Sequence, residues 1–280
     1  MVDKPTLVPS SVDADGEALP EVKLSVLQFT AVDEAACVAH IVQRSQAGEG
    51  GWVVTPNVDI LRMCTTDRSV RELVGQATLT LADGMPLIWA SRLQGTPLPE
   101  RVCGSNLIFS VSAAAADADL SVFMLGGGKP DTADKAANVL RERYPRIHIA
   151  GTYFPPFGFE HDQQQIAQIA KAVQDTQPDI VYVALSVPKT EKLIAAIRHV
   201  RPSAWWIGVG ISFSFICGEV ERAPKWMQKS GLEWVHRLIQ EPRRLIGRYL
   251  LRDVPFALRL LATSAWRRKR RPVASDEKGG

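Results

Sequence analysis

Short apolar runs separated by helical stretches are the feature that most limits what this chain can fold into. The runs Trp52–Thr55, Thr78–Ala82, Leu120–Leu125, Ile147–Gly151, Ile180–Leu185 and Trp205–Val209 have the length and near-continuous hydrophobicity of strands buried on both faces. Between them lie stretches with helical spacing: 69–74, 85–93, 106–117, 131–143, 161–174 and 189–200. Upstream, Leu24–Phe29 reads as a short strand and Val32–Gln46 as a helix, and Asp67 is a plausible cap for the helix beginning at Ser69. Strand–helix alternation of this kind predicts an α/β fold: a Rossmann-like, mostly parallel sheet with helices on both faces.

Beyond Ser230 the pattern changes. Leu232, Val235, Leu238, Ile239, Leu245, Tyr249, Phe256 and Leu260 form apolar stripes, and Arg237, Arg243, Arg244, Arg248, Arg252 and Arg259 interleave with them. This predicts a basic amphipathic helical appendage at the C-terminus, either a surface helix packed on the core or a membrane-surface or substrate-clamping element for which Trp234 and Trp266 could serve as interfacial anchors. The net charge of +3 conceals the asymmetry. Between Arg222 and Arg271, fourteen Lys and Arg face three acids, so that stretch carries +11 and the remainder −8. A basic segment of this density points to an anionic partner. The expected organisation is a disordered polar tail over 1–22, an α/β domain over 23–228, the appendage over 229–265 and a basic, disordered tail over 266–280.

Several function classes are disfavoured. Cys37, Cys64, Cys103 and Cys217 stand 27, 39 and 114 residues apart, which suits neither a zinc site nor a disulfide framework. The uncharged stretch Pro202–Gly218 is spoiled as a spanning helix by its glycines, serines and leading proline, and reads better as a strand running into a loop. Asp-x-Asp occurs only at Asp13–Asp15 in the tail and Asp117–Asp119 at a helix end, and the five histidines show no ligand spacing, so no metal site is expected. Gly126-Gly127-Gly128 follows a strand and can bring backbone amides near a phosphate, yet Asp131 stands where a dinucleotide fingerprint needs its third glycine. That weakens a nicotinamide-dependent oxidoreductase. No nucleic-acid-reading motif accompanies the basic tail, so no nucleic-acid partner is expected.

The strand ends hold the candidate chemistry. The first two runs stop in Pro56-Asn57 and Asp83-Gly84, at the sheet rim where open α/β folds place their sites. Asp83 can serve as a general base or cap the following helix. Thr55 and Asn57 can bind hydroxyls, although Asn57 can equally cap a turn, and the Arg101 fork suits a phosphate or a surface ion pair.

Thr55-Pro56-Asn57, Ala82-Asp83-Gly84 and Arg101-Val102-x-Gly104 resemble the blocks of the WecB/TagA/CpsF glycosyltransferase family (glycosyltransferase family 26). The likeness continues in order through Gly127-Gly128-x-Pro130, Gly151-Thr152-Tyr153-x-Pro155-Pro156-Phe157, Pro188-Lys189-x-Glu191, Gly208-Val209-Gly210, Arg222-Ala223-Pro224 and Gly231-Leu232-Glu233-Trp234. The resemblance implies an inverting, metal-independent transferase that moves a sugar from a UDP-sugar to a polyprenyl-diphosphate-linked saccharide for surface polysaccharide, exopolysaccharide or teichoic-acid linkage. It implies a peripheral protein on the cytoplasmic face of the plasma membrane, bound to that anionic surface through the appendage. On the matching positions, Asp83 is the implied catalytic base. Thr55, Asn57, Gly84, Arg101, Gly127, Gly128, Tyr153, Pro188, Lys189, Thr190, Glu191, Ser214, Arg237, Arg244 and Arg248 are implied substrate contacts. Thr190 stands where the family usually has Gln, Ser214 where it usually has Asp, and Gly247-Arg248 where it usually has Arg-Arg. These departures motivate the alternative of a non-catalytic nucleotide- or anionic-lipid-binding protein on the same scaffold.

Overall fold

The computed structural model describes residues 18–269. Six strands form one sheet in the order β4-β3-β8-β7-β5-β6: β3 (Gly51–Val54), β4 (Leu79–Thr80), β5 (Ser121–Gly126), β6 (His148–Tyr153), β7 (Ile180–Ala184) and β8 (Trp205–Gly208). Every neighbouring pair in it is parallel.

Side chains alternate across this sheet with a period of two. Val53, Val122, Met124, Ile180, Tyr182, Trp205 and Ile207 face one way, into a core shared with α1 (Glu34–Gln46), α5 (Gly104–Asp117) and α6 (Thr132–Arg143). Trp52, Phe123, Leu125, Val181, Val183 and Trp206 face the other way, against α7 (Gln163–Thr176) and α8 (Lys189–Ile197). Each fully buried strand side chain of this size contributes about 1.5–3 kcal/mol through removal of apolar surface from water. Both faces are therefore covered by helices, as the apolar runs predict.

The local structure corrects several sequence-level expectations. Leu24–Phe29 is not one strand: β1 (Glu21–Leu24) and β2 (Leu27–Thr30) form an antiparallel hairpin that turns at Ser25, where φ is +57°. The turn needs that positive φ, which the apolar pattern does not disclose. The hairpin abuts the sheet edge, where the Thr80 amide donates to Thr30 Oγ1. The segment after Asn57, to which the sequence reading assigns no element, is α2 (Val58–Thr66); Asp67 both closes it and caps α3 (Arg68–Val74), accepting from Ser69 and Val70 amides. Pro202–Gly218 becomes β8 followed by α9 (Ser212–Ile216), and no helix among the described residues is long and apolar enough to cross a membrane. All four cysteines are free.

The appendage folds back on the α/β body. It comprises α10 (Lys225–Ser230), α11 (Glu233–Gln240), α12 (Pro242–Arg248), a π-helical turn (Tyr249–Asp253) and α13 (Val254–Lys269). Leu245 is fully buried, and Leu260 joins the core formed by the hairpin, α2, α3 and α4 (Met85–Gln94). Gly231 sits where any side chain would collide, since a Cβ there would lie 2.7 Å from Met85 Cβ. Its φ of +76° also ends α10 in the left-handed region that glycine tolerates. Of the expected tails, residues 1–17 and 270–280, among them Asp13, Asp15, Arg270 and Arg271, lie outside the described part; Glu21 and Val22 belong to β1, and α13 runs to Lys269.

A charge network fastens the appendage to α2. Arg62 Nε lies 3.0 Å from Asp253 Oδ1, its Nη2 pairs with Asp59, and Arg248 Nη1 lies 3.6 Å from Asp59 Oδ2. Arg62 thus separates two carboxylates that would otherwise repel each other across the interface. Arg62→Ala is expected to leave them unneutralised and cost about 1–3 kcal/mol of stability. Equilibrium unfolding should show that loss, and limited proteolysis should show earlier cleavage within the appendage than in the α/β body.

Candidate active site

Because the strands are parallel, their carboxyl ends reach one edge, and there they surround a cleft of about 980 Å³. Backbone hydrogen bonds fix three of its loops into one tier. The Asp83 amide donates to the Pro56 carbonyl at 2.9 Å, and the Val102 amide donates to the Ala82 carbonyl at 3.0 Å. Thr55-Pro56-Asn57, Asp83-Gly84 and Arg101 are thereby locked side by side, although 46 residues separate the first from the last. The first turn of α5 completes this tier. Gly104 and Ser105 line the cleft and no side chain caps the helix, so its amides leave partial positive charge there.

Asp83 lies at the base of the cleft. The cap of α4 is Gly84 with no side-chain hydrogen bond, so the capping role open to Asp83 in the sequence is not the one it takes. Arg101 Nη1 is 3.6 Å from Asp83 Oδ1. Burial pushes the Asp83 carboxyl up to about 6, assisted by the Glu233 charge and opposed by Arg101, Arg222 and Arg237. It is therefore mostly ionised at neutral pH, yet basic enough to take a proton.

Asn57 does take up its local role. Its Oδ1 accepts from the Ile60 amide at 3.0 Å and caps α2, while the residue itself is exposed and lines the cleft. Capping occupies the carbonyl oxygen and leaves the amide NH2 for a ligand.

The opposite wall comes from the glycine turn after β5. Gly126 and Gly127 have φ of +102° and +123°, and a Cβ on Gly126 would lie 2.6 Å from the Ala184 carbonyl oxygen. Only glycine permits this approach of β5 to β7. Beside it the Ser214 hydroxyl is 3.1 Å from Glu219 Oε2, and Thr132 Oγ1 also donates to Glu219. A carboxylate therefore lines this wall after all, supplied from position 219 and held by the serine at 214.

At the start of α8, Lys189 pairs with Glu160, while Thr190 and Glu191 are buried at the cleft. Thr190 Oγ1 and Glu191 Oε2 have no hydrogen-bond partner among the described residues, and burial pushes Glu191 up to about 7. Tyr153 and Pro188 are not brought into the cleft. Tyr153 ends β6 and packs on the α7 side of the sheet, and Pro188 precedes α8 in a cis peptide bond.

The appendage roofs the site. Arg237 reaches the cleft with its Nη2 3.8 Å from Glu241 Oε1, and Arg248 lies over the Tyr249 ring at 4.9 Å while facing Asp59. The Nε atoms of both arginines are buried without a partner among the described residues. Arg244 lies on α12 between them, and its side chain is outside the described part.

Two charged residues that matter here carried no role in the sequence reading, although both stand in quoted motif blocks. Glu233 Oε2 is 3.1 Å from Arg101 Nη1, and Glu233 Oε1 is 3.3 Å from Arg222 Nε. Arg222 is in turn bonded to Asn106 Oδ1 at 2.8 Å. Their signal was the charged residue inside Arg222-Ala223-Pro224 and Gly231-Leu232-Glu233-Trp234. Among the described residues, no three His, Cys, Asp or Glu side chains converge as a metal site would require.

The profile of the Glycosyl transferase WecG/TagA/CpsF family matches residues 22–271, which spans both the α/β body and the appendage. The chain belongs to this family. It is a glycosyltransferase, similar to two curated relatives that are each named N-acetylglucosaminyldiphosphoundecaprenol N-acetyl-beta-D-mannosaminyltransferase. The relative from Bacillus subtilis (strain 168) is 34% identical over 196 residues, covering 70% of this chain and 73% of its own. The relative from Bacillus spizizenii is 31% identical over 222 residues, covering 79% and 84%.

The double use of Asn57 generates a separable prediction. Asn57→Ala should lose the α2 cap and about 1 kcal/mol of stability, whereas Asn57→Asp should keep the cap and melt like the parent. If the free NH2 serves a ligand, Asn57→Asp should nonetheless lose transferase activity, measured as initial rate on thermally matched protein.

Proposed function

We propose that this glycosyltransferase moves an N-acetylhexosamine, or a related hexose, from a UDP-sugar to a saccharide carried on a polyprenyl diphosphate, with inversion at the anomeric carbon. The observation that carries the reading is Asp83: a carboxyl at the base of the cleft, pushed up to about 6, with Arg101 beside it and appendage arginines above. In the reaction the Asp83 carboxylate takes the proton of the acceptor hydroxyl. The hydroxyl oxygen bonds to the anomeric carbon as the bond from that carbon to the diphosphate oxygen breaks. Negative charge grows on the departing diphosphate, where Arg237 and Arg244 neutralise it and the α5 amides add partial positive charge. With cations supplied by the chain, no metal is required.

The relatives' names support a lipid-linked acceptor. The shape of the appendage supports a membrane setting. Trp226, Ile239, Leu251, Leu258 and Trp266 are all more than half exposed there, on helical segments that also carry lysines or arginines. A face of that kind suits the cytoplasmic surface of the plasma membrane, where anionic headgroups meet the arginines and the acceptor's hydrocarbon stays in the bilayer. The product would serve surface polysaccharide, exopolysaccharide or teichoic-acid linkage.

The test is a transfer assay with the full chain, a polyprenyl-diphosphate N-acetylglucosamine acceptor and a panel of UDP-sugars. One donor should be used, chelator should leave its rate unchanged, and Asp83→Asn should lower turnover by roughly 10²-fold or more while UDP still binds. The acidic limb of kcat/KM should lie near pH 6, because protonation below that value removes the base. Wild-type turnover of Asp83→Asn would refute the assignment.

Membrane binding has its own check. Replacing Arg267, Arg268 and Lys269 with glutamine should weaken co-sedimentation with phosphatidylglycerol vesicles, each surface cation contributing about 1 kcal/mol. That difference should shrink in high salt.

A further inference from the structure

Building on the assignment of Asp83 as the base, we propose that Glu233 is a positioning residue that holds Arg101 off Asp83, so that the appendage delivers base strength to the site together with its cations. One nitrogen carries the argument. Arg101 Nη1 donates to Glu233 Oε2 at 3.1 Å, while Asp83 Oδ1 stands 3.6 Å from the same atom, outside hydrogen-bond range. The arginine is committed to the appendage carboxylate, and Asp83 keeps its lone pairs for an acceptor hydroxyl.

Glu233 is not free to drift toward some other partner. Its second oxygen faces Arg222 Nε at 3.3 Å, and Arg222 is fixed to the α/β body through Asn106. The three side chains are mostly buried: Arg101 is 15% exposed, Arg222 19% and Glu233 20%. Without the Glu233 charge, Arg101 would close on Asp83 as a direct ion pair. A carboxylate paired with arginine typically loses 1–3 pH units of basicity, and such a pair would also block the proton's landing site.

Among the described residues, the charged and titratable groups acting on Asp83 come from several elements. They are Arg101 and the Cys103 thiol from the loop before α5, Arg222 from the loop before α10, and Glu233 and Arg237 from α11. Glu233 is the one anion among them, and it opposes three arginines. It also resides on the appendage, whereas Asp83 and Arg101 belong to the body. Docking of α11 therefore brings its cation, Arg237, and the carboxylate that preserves the base in one movement.

The experiment compares Glu233→Gln, which keeps the shape and removes the charge, with Glu233→Asp, which keeps the charge. Two quantities are read: the pH profile of kcat/KM, and the titration of the Asp83 carboxyl by 13C NMR in aspartate-labelled full chain, assigned with Asp83→Asn. In Glu233→Gln the acidic limb and the Asp83 titration should both move down by about 1 pH unit, with a lower plateau rate. In Glu233→Asp both should stay near the parent values. A Glu233→Gln protein that loses rate with its limb and its titration unmoved would show mere structural support and overturn the proposal. Full activity of Asp83→Asn would instead remove the base assignment, while the NMR titration would still report whether Glu233 governs the Asp83 carboxyl.

Discussion

Parallel pairing is the constraint on which the rest of this molecule depends. Six strands running the same way must send all their carboxyl ends to one edge, and each return must be covered by a helix or loop on a face. The residues that follow β3, β4, β5, β7 and β8 consequently meet in one cleft, whatever their separation in the chain. Within it the backbone leaves little freedom. The bonds from Asp83 to Pro56 and from Val102 to Ala82 continue the strand ladder past the last regular residues, so a carboxylate, an amide and a guanidinium are aligned by main chain rather than by their own contacts.

That same edge is open on one side, and the appendage closes it. Its attachment is both apolar and ionic. Leu245 and Leu260 bury carbon, while Arg62 and Asp253 join residues 191 positions apart. The ionic part is partly enclosed, where a lone charge is costly, and this explains why each carboxylate in the interface has an arginine: Asp59 and Asp253 with Arg62, Glu233 with Arg101 and Arg222. An appendage that brought only cations would repel Arg101 and Arg222 beneath it. Carrying its own carboxylate lets it dock and still present Arg237 to the cleft.

Much of this was legible in the sequence because burial on two faces leaves an unmistakable trace. Runs such as Ile180–Leu185 and Trp205–Val209 announced central strands, and the polar residues ending Trp52–Thr55 and Thr78–Ala82 announced the site. The hairpin at Ser25 was not legible, since it depends on one positive φ in a residue that seldom takes it. Nor was α2, because its cap, Asn57, was read as a ligand group or the cap of a turn, and the apolar spacing behind it is short. The pairing of Ser214 with Glu219 also lay out of reach: it depends on the chain reversing after α9, with Gly218 at φ +74°, which no periodicity records. Tyr153 shows the limit of motif reading: it stands in a strong motif, and its ring packs with the core.

Both walls of the cleft carry charges of both signs. The roof and the α4–α5 side carry Arg101, Arg237 and Arg248, with the uncapped start of α5 among them. The glycine turn carries Glu219, fixed by Thr132 and Ser214 and only 12% exposed, with Lys129 Nζ 3.8 Å from its Oε1. Each wall therefore sets cations against carboxylates, Arg101 with Glu233 on one side and Lys129 with Glu219 on the other. The neutral Thr190 hydroxyl and the Glu191 carboxyl, pushed up to about 7, lie beyond the reach of either charge cluster's hydrogen bonds. A buried hydroxyl beside a carboxyl that titrates near neutral pH can donate as well as accept, which suits the amide and hydroxyl groups of a sugar.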